Sequence, residues 1–478
     1  MKHLNILRRL TDKRIFKSGS TYKFIVLASV SGLFLTGCTL PAALDEYLQD
    51  LGILDPEEYR DVQSEADSAG YEGSDASTGI SMEVIDSMKE AVEADADSSG
   101  YESSLLLQAE AELSAARQES QNDEEQTPSY SEVELSDSDF DGLYAYEQLD
   151  DEGKNLYTEI YSVLTSLGED VVVSTLDKGD IKTAFNYCMA DHPEIFYVTG
   201  YTYKEYTLGD EIQKISFSGT YTYNESEIKN RQNKIDSYVA ACLAGIDSNA
   251  DQYSKVKYVY EYIINSTDYV ADAEDNQNIC SVFINNKSVC QGYAKAAQYL
   301  LNKLGIESVL VTGTVQDSSG SWGGHAWNLV NIDGQYYYVD TTWGDASYQT
   351  QSGDIGDNQR IPTINYFYLN VTTDELSKTH RISNELPMPE CTSMVANYYV
   401  KEDEYFESCD ADSIKALFDR RLSDGSNNVT IKCSSADVYQ EIYDMLVTDR
   451  GIFDYLNGED HEISYTMFKN QNTMIFWL

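Results

Sequence analysis

An Asp-Gly pair at 333–334 separates two strand-like runs, 325–332 and 335–341, and it constrains the fold more than any other feature of the sequence. Asp-Gly is typical of a two-residue hairpin turn in which both residues take positive φ. Such a turn pairs the two residues that flank it and thereby fixes the register of the whole hairpin. In that register His325 and Asp340 are diagonal neighbours on one face of an antiparallel sheet.

A helical pattern begins at Cys290. The apolar spacing over 291–304, followed by Gly305, predicts a helix with Cys290 where the preceding loop enters it. The unpaired amides of a first helical turn, together with the helix dipole, favour a thiolate. With His325 as the base that takes the thiol proton and Asp340 as the group that orients the imidazole, the sequence predicts a nucleophile for carbonyl carbon.

Each of these residues also has a purely structural interpretation. A cysteine at a helix start is often inert, a strand histidine often lies in a core, and an aspartate beside a threonine often forms a turn. Their order, their secondary structure and their shared face favour the catalytic interpretation. Trp327, on the same face of the hairpin, and Trp343, just past its end, either wall the substrate cleft or pack in the core.

The order of Cys, then His followed by Ala-Trp, then Asp after an aromatic strand resembles the transglutaminase-like superfamily, in particular its bacterial members related to cytokinesis proteins and kyphoscoliosis peptidases. The resemblance is strongest over 287–343. It implies a papain-like core with Cys290 on the central helix and with His325 and Asp340 on adjacent antiparallel strands. It also implies acyl transfer to amines, hydrolysis of peptide or amide bonds, or a copy without activity. Val-Cys-Gln in place of Gln-Cys-Trp argues against calcium-activated crosslinking.

The first 38 residues predict export from the cytoplasm. Basic residues precede an apolar run at 24–35, which is too short to span a bilayer comfortably. The run ends in Leu-Thr-Gly-Cys and resembles a bacterial lipoprotein signal, with Cys38 as the lipidated residue. The alternative is an uncleaved, short membrane anchor. Both interpretations place the rest of the chain outside the cytoplasm.

Residues 39–140 are predicted to be a disordered acidic stalk. Asp, Glu, Ser, Ala and Gly dominate this segment, and the motif ADSAGYEGS recurs in it as ADSSGYESS. Such a composition cannot bury enough apolar surface to offset the entropy of the chain. The whole protein carries a formal net charge of -48, which opposes binding to nucleic acid.

The rest of the chain is predicted to have an α+β fold in three parts: an α/β lead-in at 141–250, a transglutaminase-like catalytic core at 251–385, and a small α/β domain at 390–478. In the lead-in, one helix is predicted at 180–190 with Asp180 as its cap. In the last domain, the first strand is predicted at 398–406.

No metal site is predicted. Residues 137–148 resemble the start of an EF-hand loop but lack its terminal glutamate, and five widely spread histidines without a Cys-x-x-Cys pair give little support for zinc. The cysteines after Cys38 are odd in number, so at least one is expected to stay outside an intramolecular disulfide. A regulatory disulfide between Cys290 and Cys280 stays open.

The sequence therefore predicts a lipid-anchored thiol enzyme on the extracytoplasmic face of the cell membrane, with a peptide or protein substrate and no cofactor. The alternative is a catalytically inactive transglutaminase-like surface protein that binds peptides or cell-wall components. The reactivity of Cys290 separates the two. The substrate, the choice between hydrolysis and amine transfer, and the oxyanion-hole side chain stay open.

Overall fold

A computed structural model describes residues 74–75, 139–208, 211–317, 320–346, 348, 361–456 and 462–478. The predicted export signal, Cys38 and nearly all of the predicted stalk lie outside these residues. The described residues all belong to one compact unit. Among them, no helix combines the length and the apolar character that crossing a membrane requires.

The lead-in packs helices against an antiparallel sheet that gains one short parallel strand. The added strand is β1 (Ser74–Asp75), which comes from the predicted stalk. The elements of the lead-in itself are α1 (Tyr144–Glu147), α2 (Asp151–Thr165), β2 (Val171–Val173), α3 (Lys178–Asp191), β3 (Val198–Leu208), β4 (Glu211–Tyr221) and α4 (Glu225–Leu243). The strand order is β1-β3-β4-β2, with β1 parallel to β3 and the other pairs antiparallel.

The predicted cap of α3 is wrong. The helix begins before Asp180, and Asp177 caps it by accepting a hydrogen bond from the Gly179 N–H at 2.7 Å. Asp180 instead lies in the first turn, where its carboxylate accepts a hydrogen bond from the Thr175 hydroxyl at 2.9 Å. Aspartate is favourable at both places, because both lie at the positive end of the helix dipole.

The catalytic core predicted from the sequence contains a four-stranded antiparallel sheet. Its elements are α5 (Gln252–Ser266), β5 (Asp268–Tyr269), α6 (Ile279–Phe283), β6 (Lys287–Ser288), α7 (Cys290–Lys303), β7 (Ser308–Gln316), β8 (Trp322–Ile332), β9 (Gln335–Val339), α8 (Thr341–Gly344), a 3-10 turn (Tyr366–Tyr368), α9 (Thr373–Leu376) and β10 (His380–Ile382). The sheet order is β10-β7-β8-β9.

The predicted register of the β8–β9 hairpin is confirmed. Asp333 and Gly334 have φ of 51° and 81°, and Ile332 pairs with Gln335. Positive φ at both central residues is the geometry that matches the twist of the flanking strands. Because side chains alternate along a strand, this register directs His325 and Asp340 to one face of the sheet.

Helix α7 packs on that sheet along its whole length. From Gly292 to Leu301 every residue is buried, and alanines allow the helix to approach the strands closely. The Asn328 side-chain amide on β8 donates a hydrogen bond to the Ala294 carbonyl at 3.0 Å. This buried contact holds the helix that begins at Cys290 against the strand that carries His325.

The C-terminal residues form a third four-stranded sheet with its own apolar core. The elements are α10 (Tyr398–Lys401), β11 (Tyr405–Phe406), α11 (Ala411–Ser423), β12 (Asn428–Cys433), α12 (Ala436–Tyr443), a π-helical turn (Asp444–Thr448), a 3-10 turn (Gly451–Asp454), β13 (Ser464–Phe468), a 3-10 turn (Lys469–Gln471) and β14 (Thr473–Trp477). The sheet order is β11-β12-β14-β13. We refer to residues 405–478 as the C-terminal module.

The strand predicted at 398–406 is wrong in its first half. Asn397 starts a helical turn by accepting a hydrogen bond from the Tyr399 N–H at 3.1 Å. Tyr398 stacks on Tyr366 with ring centroids 3.8 Å apart, so its aromatic character serves packing and not a strand. The overall prediction of a mixed α+β fold is nevertheless confirmed by the three four-stranded sheets and their helices.

Candidate active site

Cys290 is the first residue of α7 and is partly exposed. The residue before it, Val289, takes the N-cap position in an extended conformation and offers no side-chain acceptor. The side chain at the N-cap therefore does not cap the amides of the first turn. This is the placement that the sequence predicts for Cys290.

His325 and Asp340 lie side by side, as the hairpin register predicts. The Nε2 atom of His325 is 2.7 Å from Oδ2 of Asp340. Both residues are buried, with 7% of His325 and 1% of Asp340 exposed. Since Nε2 contacts the carboxylate, Nδ1 is the ring nitrogen left for a second partner.

The charges of the site act on each other more strongly than burial does. Burial alone would lower the pKa of His325, but the Asp340 carboxylate and Cys290 raise it to about 10. Burial alone would raise the pKa of Asp340, but the His325 charge and hydrogen bonds from His325 and His380 hold it well below its usual range. The arrangement therefore supports an imidazolium at His325 beside an ionised Asp340.

Asp340 is fixed in place at three points. Its Oδ1 atom accepts the backbone N–H of Trp343 at 3.0 Å, so that the carboxylate caps α8. Its own N–H donates to the Tyr368 carbonyl at 3.0 Å. Oδ2 stays directed at His325. The turn-forming role that the sequence also allows for Asp340 therefore coexists with its contact to the imidazole.

The two tryptophans lie in the core. Trp327 is 0% exposed and stacks beside His325 with ring centroids 5.9 Å apart. Trp343 is 4% exposed and packs edge-on against Tyr368. Neither ring presents an open surface in this conformation, so of the two interpretations offered by the sequence, core packing describes their position and cleft walls do not. Both rings shield the imidazole from water.

A second histidine, which sequence reasoning did not find, shares Asp340. The Nε2 atom of His380, on β10, lies 2.9 Å from Oδ2 of Asp340, and the side chain is buried. Its pairing with β7 places it there, across from Val315. Gly313 allows this approach, because a Cβ at that position would overlap the Arg381 carbonyl and the Trp327 ring.

Within the part of the chain that the structure describes, one group of three residues could in principle hold a metal ion. It consists of His325, Asp340 and His380, whose candidate ligand atoms lie within 4.8 Å of one another. The separations of 2.7 and 2.9 Å are those of hydrogen bonds between N–H donors and a carboxylate. Two ligands of one zinc ion at about 2.0–2.1 Å each would lie farther apart. Hydrogen bonding accounts for the cluster.

The other described cysteines are all free thiols. Cys280, the partner considered for a disulfide with Cys290, is fully buried, and burial raises the pKa of its thiol to about 12. Burial also raises the pKa of the Cys433 thiol to about 12 and that of Cys409. Cys409 is, like Cys290, partly exposed, and it provides a comparison for the reactivity of Cys290.

One comparison with known proteins identifies the region around Cys290. The family model for the Transglutaminase-like superfamily matches residues 240–341. The Kyphoscoliosis peptidase of Mus musculus is 29% identical over 103 residues, which are 19% of this chain and 15% of the mouse protein.

Two solved structures are also similar over part of the chain. One is the crystal structure of a TGase, at 14% identity and a TM-score of 0.22 over 30% of this chain and 51% of that one. The other is the periplasmic domain of TgpA from Pseudomonas aeruginosa, at 17% identity and a TM-score of 0.19 over 28% of this chain and 57% of that one. The segment 240–341, which contains Cys290, His325 and Asp340, is a transglutaminase-like domain.

Proposed function

We propose that the protein is a thiol enzyme that acts on peptide or amide bonds through Cys290, His325 and Asp340. The observation that carries the proposal is the buried His325 ring, which lies 2.7 Å from Asp340 and whose pKa is raised by Asp340 and by Cys290. A base held in this way takes the thiol proton, and the carboxylate stabilises the imidazolium that results.

The reaction follows from this placement. The Cys290 sulfur attacks the carbonyl carbon, and first-turn amides of α7 face the oxyanion that develops. His325 then gives its proton to the leaving amine, and a thioester remains on Cys290. Water or a second amine, deprotonated by His325, attacks the thioester and releases the thiol. Water yields hydrolysis and an amine yields acyl transfer.

Alkylation at neutral pH tests the state of the thiol without a substrate. We expect iodoacetamide to modify Cys290 at least about tenfold faster than Cys409, because a thiolate is the reacting species and burial disfavours it at Cys409. Mass spectrometry of the modified peptides gives both rates in one sample. In His325→Gln, the preference for Cys290 should disappear. Equal rates at Cys290 and Cys409 in the unmodified protein would favour the inactive surface protein.

The substrate class is tested by turnover. The protein is incubated with a varied peptide mixture and a labelled primary amine, and products are read by mass spectrometry. Cleaved peptides identify a hydrolase, and labelled peptides identify an acyltransferase. The matched control is Cys290→Ala, which keeps the fold and removes the nucleophile. Products that are formed equally by this variant do not come from Cys290.

We also propose that a lipid on Cys38 holds the enzyme at the extracytoplasmic face of the membrane, where a peptide or protein, or a cell-wall component, is its partner. The support is the basic and apolar pattern of the first 38 residues.

Substitution at the lipidation site tests this anchoring. We expect Cys38→Ala to lose labelling by a radioactive fatty acid and to remain unprocessed, because the lipid is attached to the cysteine thiol. The measurement is metabolic labelling, followed by separation of the membrane and soluble fractions and a gel of each fraction. Processed, membrane-bound protein in Cys38→Ala would contradict the lipoprotein assignment.

A further inference from the structure

One carboxylate oxygen serves two buried imidazoles. Oδ2 of Asp340 lies 2.7 Å from Nε2 of His325 and 2.9 Å from Nε2 of His380. The two ring centroids are 5.7 Å apart. Two imidazolium ions at that distance in a buried site would repel each other, and Asp340 supplies a single negative charge between them. Other contacts must therefore determine which of the two rings carries the additional proton and the positive charge.

A chain of hydrogen bonds on the far side of His380 provides such contacts. Its Nδ1 atom lies 2.8 Å from the Thr379 hydroxyl, which lies 3.0 Å from the Tyr368 hydroxyl. The side-chain amide of Gln471 donates a hydrogen bond to Tyr368 at 3.0 Å. We call these three side chains, Gln471, Tyr368 and Thr379, the hydroxyl relay.

The first member of the hydroxyl relay favours one direction. An amide N–H can only donate, so the Tyr368 oxygen accepts from Gln471, and its own hydrogen is available for Thr379. With that direction, the Thr379 hydrogen bonds Nδ1 of His380, which accepts it. The ring then keeps one hydrogen on Nε2, where it is donated to Asp340. In this arrangement His380 is neutral.

The balance of the groups that face His380 favours a neutral ring. Trp327, Trp343 and Tyr368 surround it at ring-centroid distances of 5.0, 5.0 and 5.2 Å. Burial lowers the pKa of His380, and the His325 charge does so too. The Asp340 carboxylate and the Leu376 carbonyl act in the opposite direction, but the net effect is a lowered pKa.

The hydroxyl relay begins in the C-terminal module. Lys432, on β12, is 5% exposed, and its ammonium group donates to the Gln471 carbonyl at 2.7 Å. The same group donates to the Glu375 carboxylate of α9 at 2.6 Å. This contact fixes Gln471 against the core and places its amide over Tyr368.

We propose that His380 is a positioning residue for Asp340 and that the hydroxyl relay from the C-terminal module keeps its ring neutral, so that the imidazolium forms at His325 beside Cys290. The inference rests on the proposed thiol chemistry. His380 does not touch the substrate. It donates to Asp340 and leaves the charge of that carboxylate to stabilise His325.

Two substitutions of Thr379, which introduce side chains of nearly the same shape as each other, test the direction of the hydroxyl relay. In Thr379→Asp the new carboxylate accepts a hydrogen from Nδ1, His380 becomes cationic, and Asp340 no longer compensates His325. We expect alkylation of Cys290 at pH 7 to slow about tenfold or more, since charged hydrogen bonds are involved. In Thr379→Asn the amide can donate to Nδ1, and the rate should stay within about threefold of the original. Equal slowing in both variants would overturn the proposal.

The ring itself can be observed without any variant at Thr379. The protein contains five histidines, so nitrogen-15 labelling of histidine gives few imidazole signals. We assign the His380 signals by their loss in His380→Gln. We expect a bare Nδ1 and a protonated Nε2 from pH 5.5 to 8.5. A proton on Nδ1 at neutral pH, or a stoichiometric shift of both rings by added zinc, would overturn the proposal.

These outcomes separate the proposal from the proposed function. Slow alkylation of Cys290 in the unmodified protein contradicts the enzyme, whatever the His380 signals show. Fast alkylation of Cys290 together with a cationic His380 leaves the enzyme intact and contradicts the hydroxyl relay.

Discussion

Replacement of Asp340 by asparagine is expected to lower Cys290-dependent turnover about ten-thousandfold. An amide carries no charge to stabilise the imidazolium at His325, and it permits the wrong tautomer of that ring. Turnover is measured on whichever peptide the substrate screen identifies. Because the triad acts as a unit, the fold-loss of turnover in the double variant with Cys290→Ala should be far smaller than the product of the two single fold-losses. Full activity in Asp340→Asn would show that Asp340 only caps α8.

The same substitution is expected to cost stability, and this must be separated from the loss of turnover. Three N–H donors, from His325, His380 and Trp343, converge on the two oxygens of Asp340. An amide has one acceptor oxygen, so at least one donor faces an NH₂ group, at about 1–3 kcal/mol. Urea unfolding measures this cost.

A matched control exists in the lead-in. Asp191 is equally buried and also accepts three donors: the N–H groups of Ala145 and Tyr146 and the hydroxyl of Tyr157. Asp191→Asn should therefore lose a similar amount of stability while Cys290 keeps its reactivity. A loss of reactivity in Asp191→Asn as large as in Asp340→Asn would assign the effect to general destabilisation.

The second large effect is a change in the pH dependence of stability on replacing Cys290 by alanine. Between pH 7 and 8.5 the unfolding free energy of Cys290→Ala should fall more steeply than that of the original protein, by at most about 1.4 kcal/mol per pH unit. The difference over this window amounts to at most about 2 kcal/mol. Urea unfolding at a series of pH values, extrapolated to water, measures it.

The sign follows from counting protons. The pKa of His325 is raised to about 10, so its stabilising contribution is complete below the unfolded value near 6.5 and is lost as pH rises through the folded value. In Cys290→Ala the Asp340 carboxylate still raises the pKa of His325, though by less than Asp340 and Cys290 do together, and the folded imidazolium holds a proton that the unfolded ring lacks. In the proposed mechanism for the original protein that proton comes from Cys290, and the unfolded thiol holds it instead, so folding takes up none.

Groups common to both proteins cancel in this difference, which is why the comparison isolates the site. A buried thiol elsewhere serves as the control: Cys188→Ala should lose stability through its cavity but keep the original slope below pH 8.5. If the Cys290→Ala curve runs parallel to the original, Cys290 keeps its own proton in the folded protein, and the thiolate is contradicted.

The placement of His325 and Asp340 could be predicted from the sequence because a two-residue turn leaves one register. Asp333 and Gly334 take the positive φ that the turn requires, and every residue of the hairpin then has a determined face. The start of α7 was equally predictable, since the apolar spacing after Cys290 and the positive φ of Gly305 mark its two ends.

His380 could not be predicted in the same way. It lies on a strand of three residues, which is too short to show an alternating pattern, and no tight turn links that strand to the hairpin. Its neighbour in the sheet is β7, and pairing between distant segments leaves no local signal. The one hint was Gly313, a glycine inside a strand and directly across from His325, which is typical of a close approach by another chain segment.

The spread of the site along the chain has a consequence for biosynthesis. Cys290 leaves the ribosome before His325 and Asp340, and Gln471 follows much later. A nascent chain that has just exposed the cysteine carries a thiol with neither base nor carboxylate, and β10 has yet to bring His380 to the sheet. Under the proposed mechanism, the order of synthesis postpones full reactivity until the C-terminal module has been made and has docked.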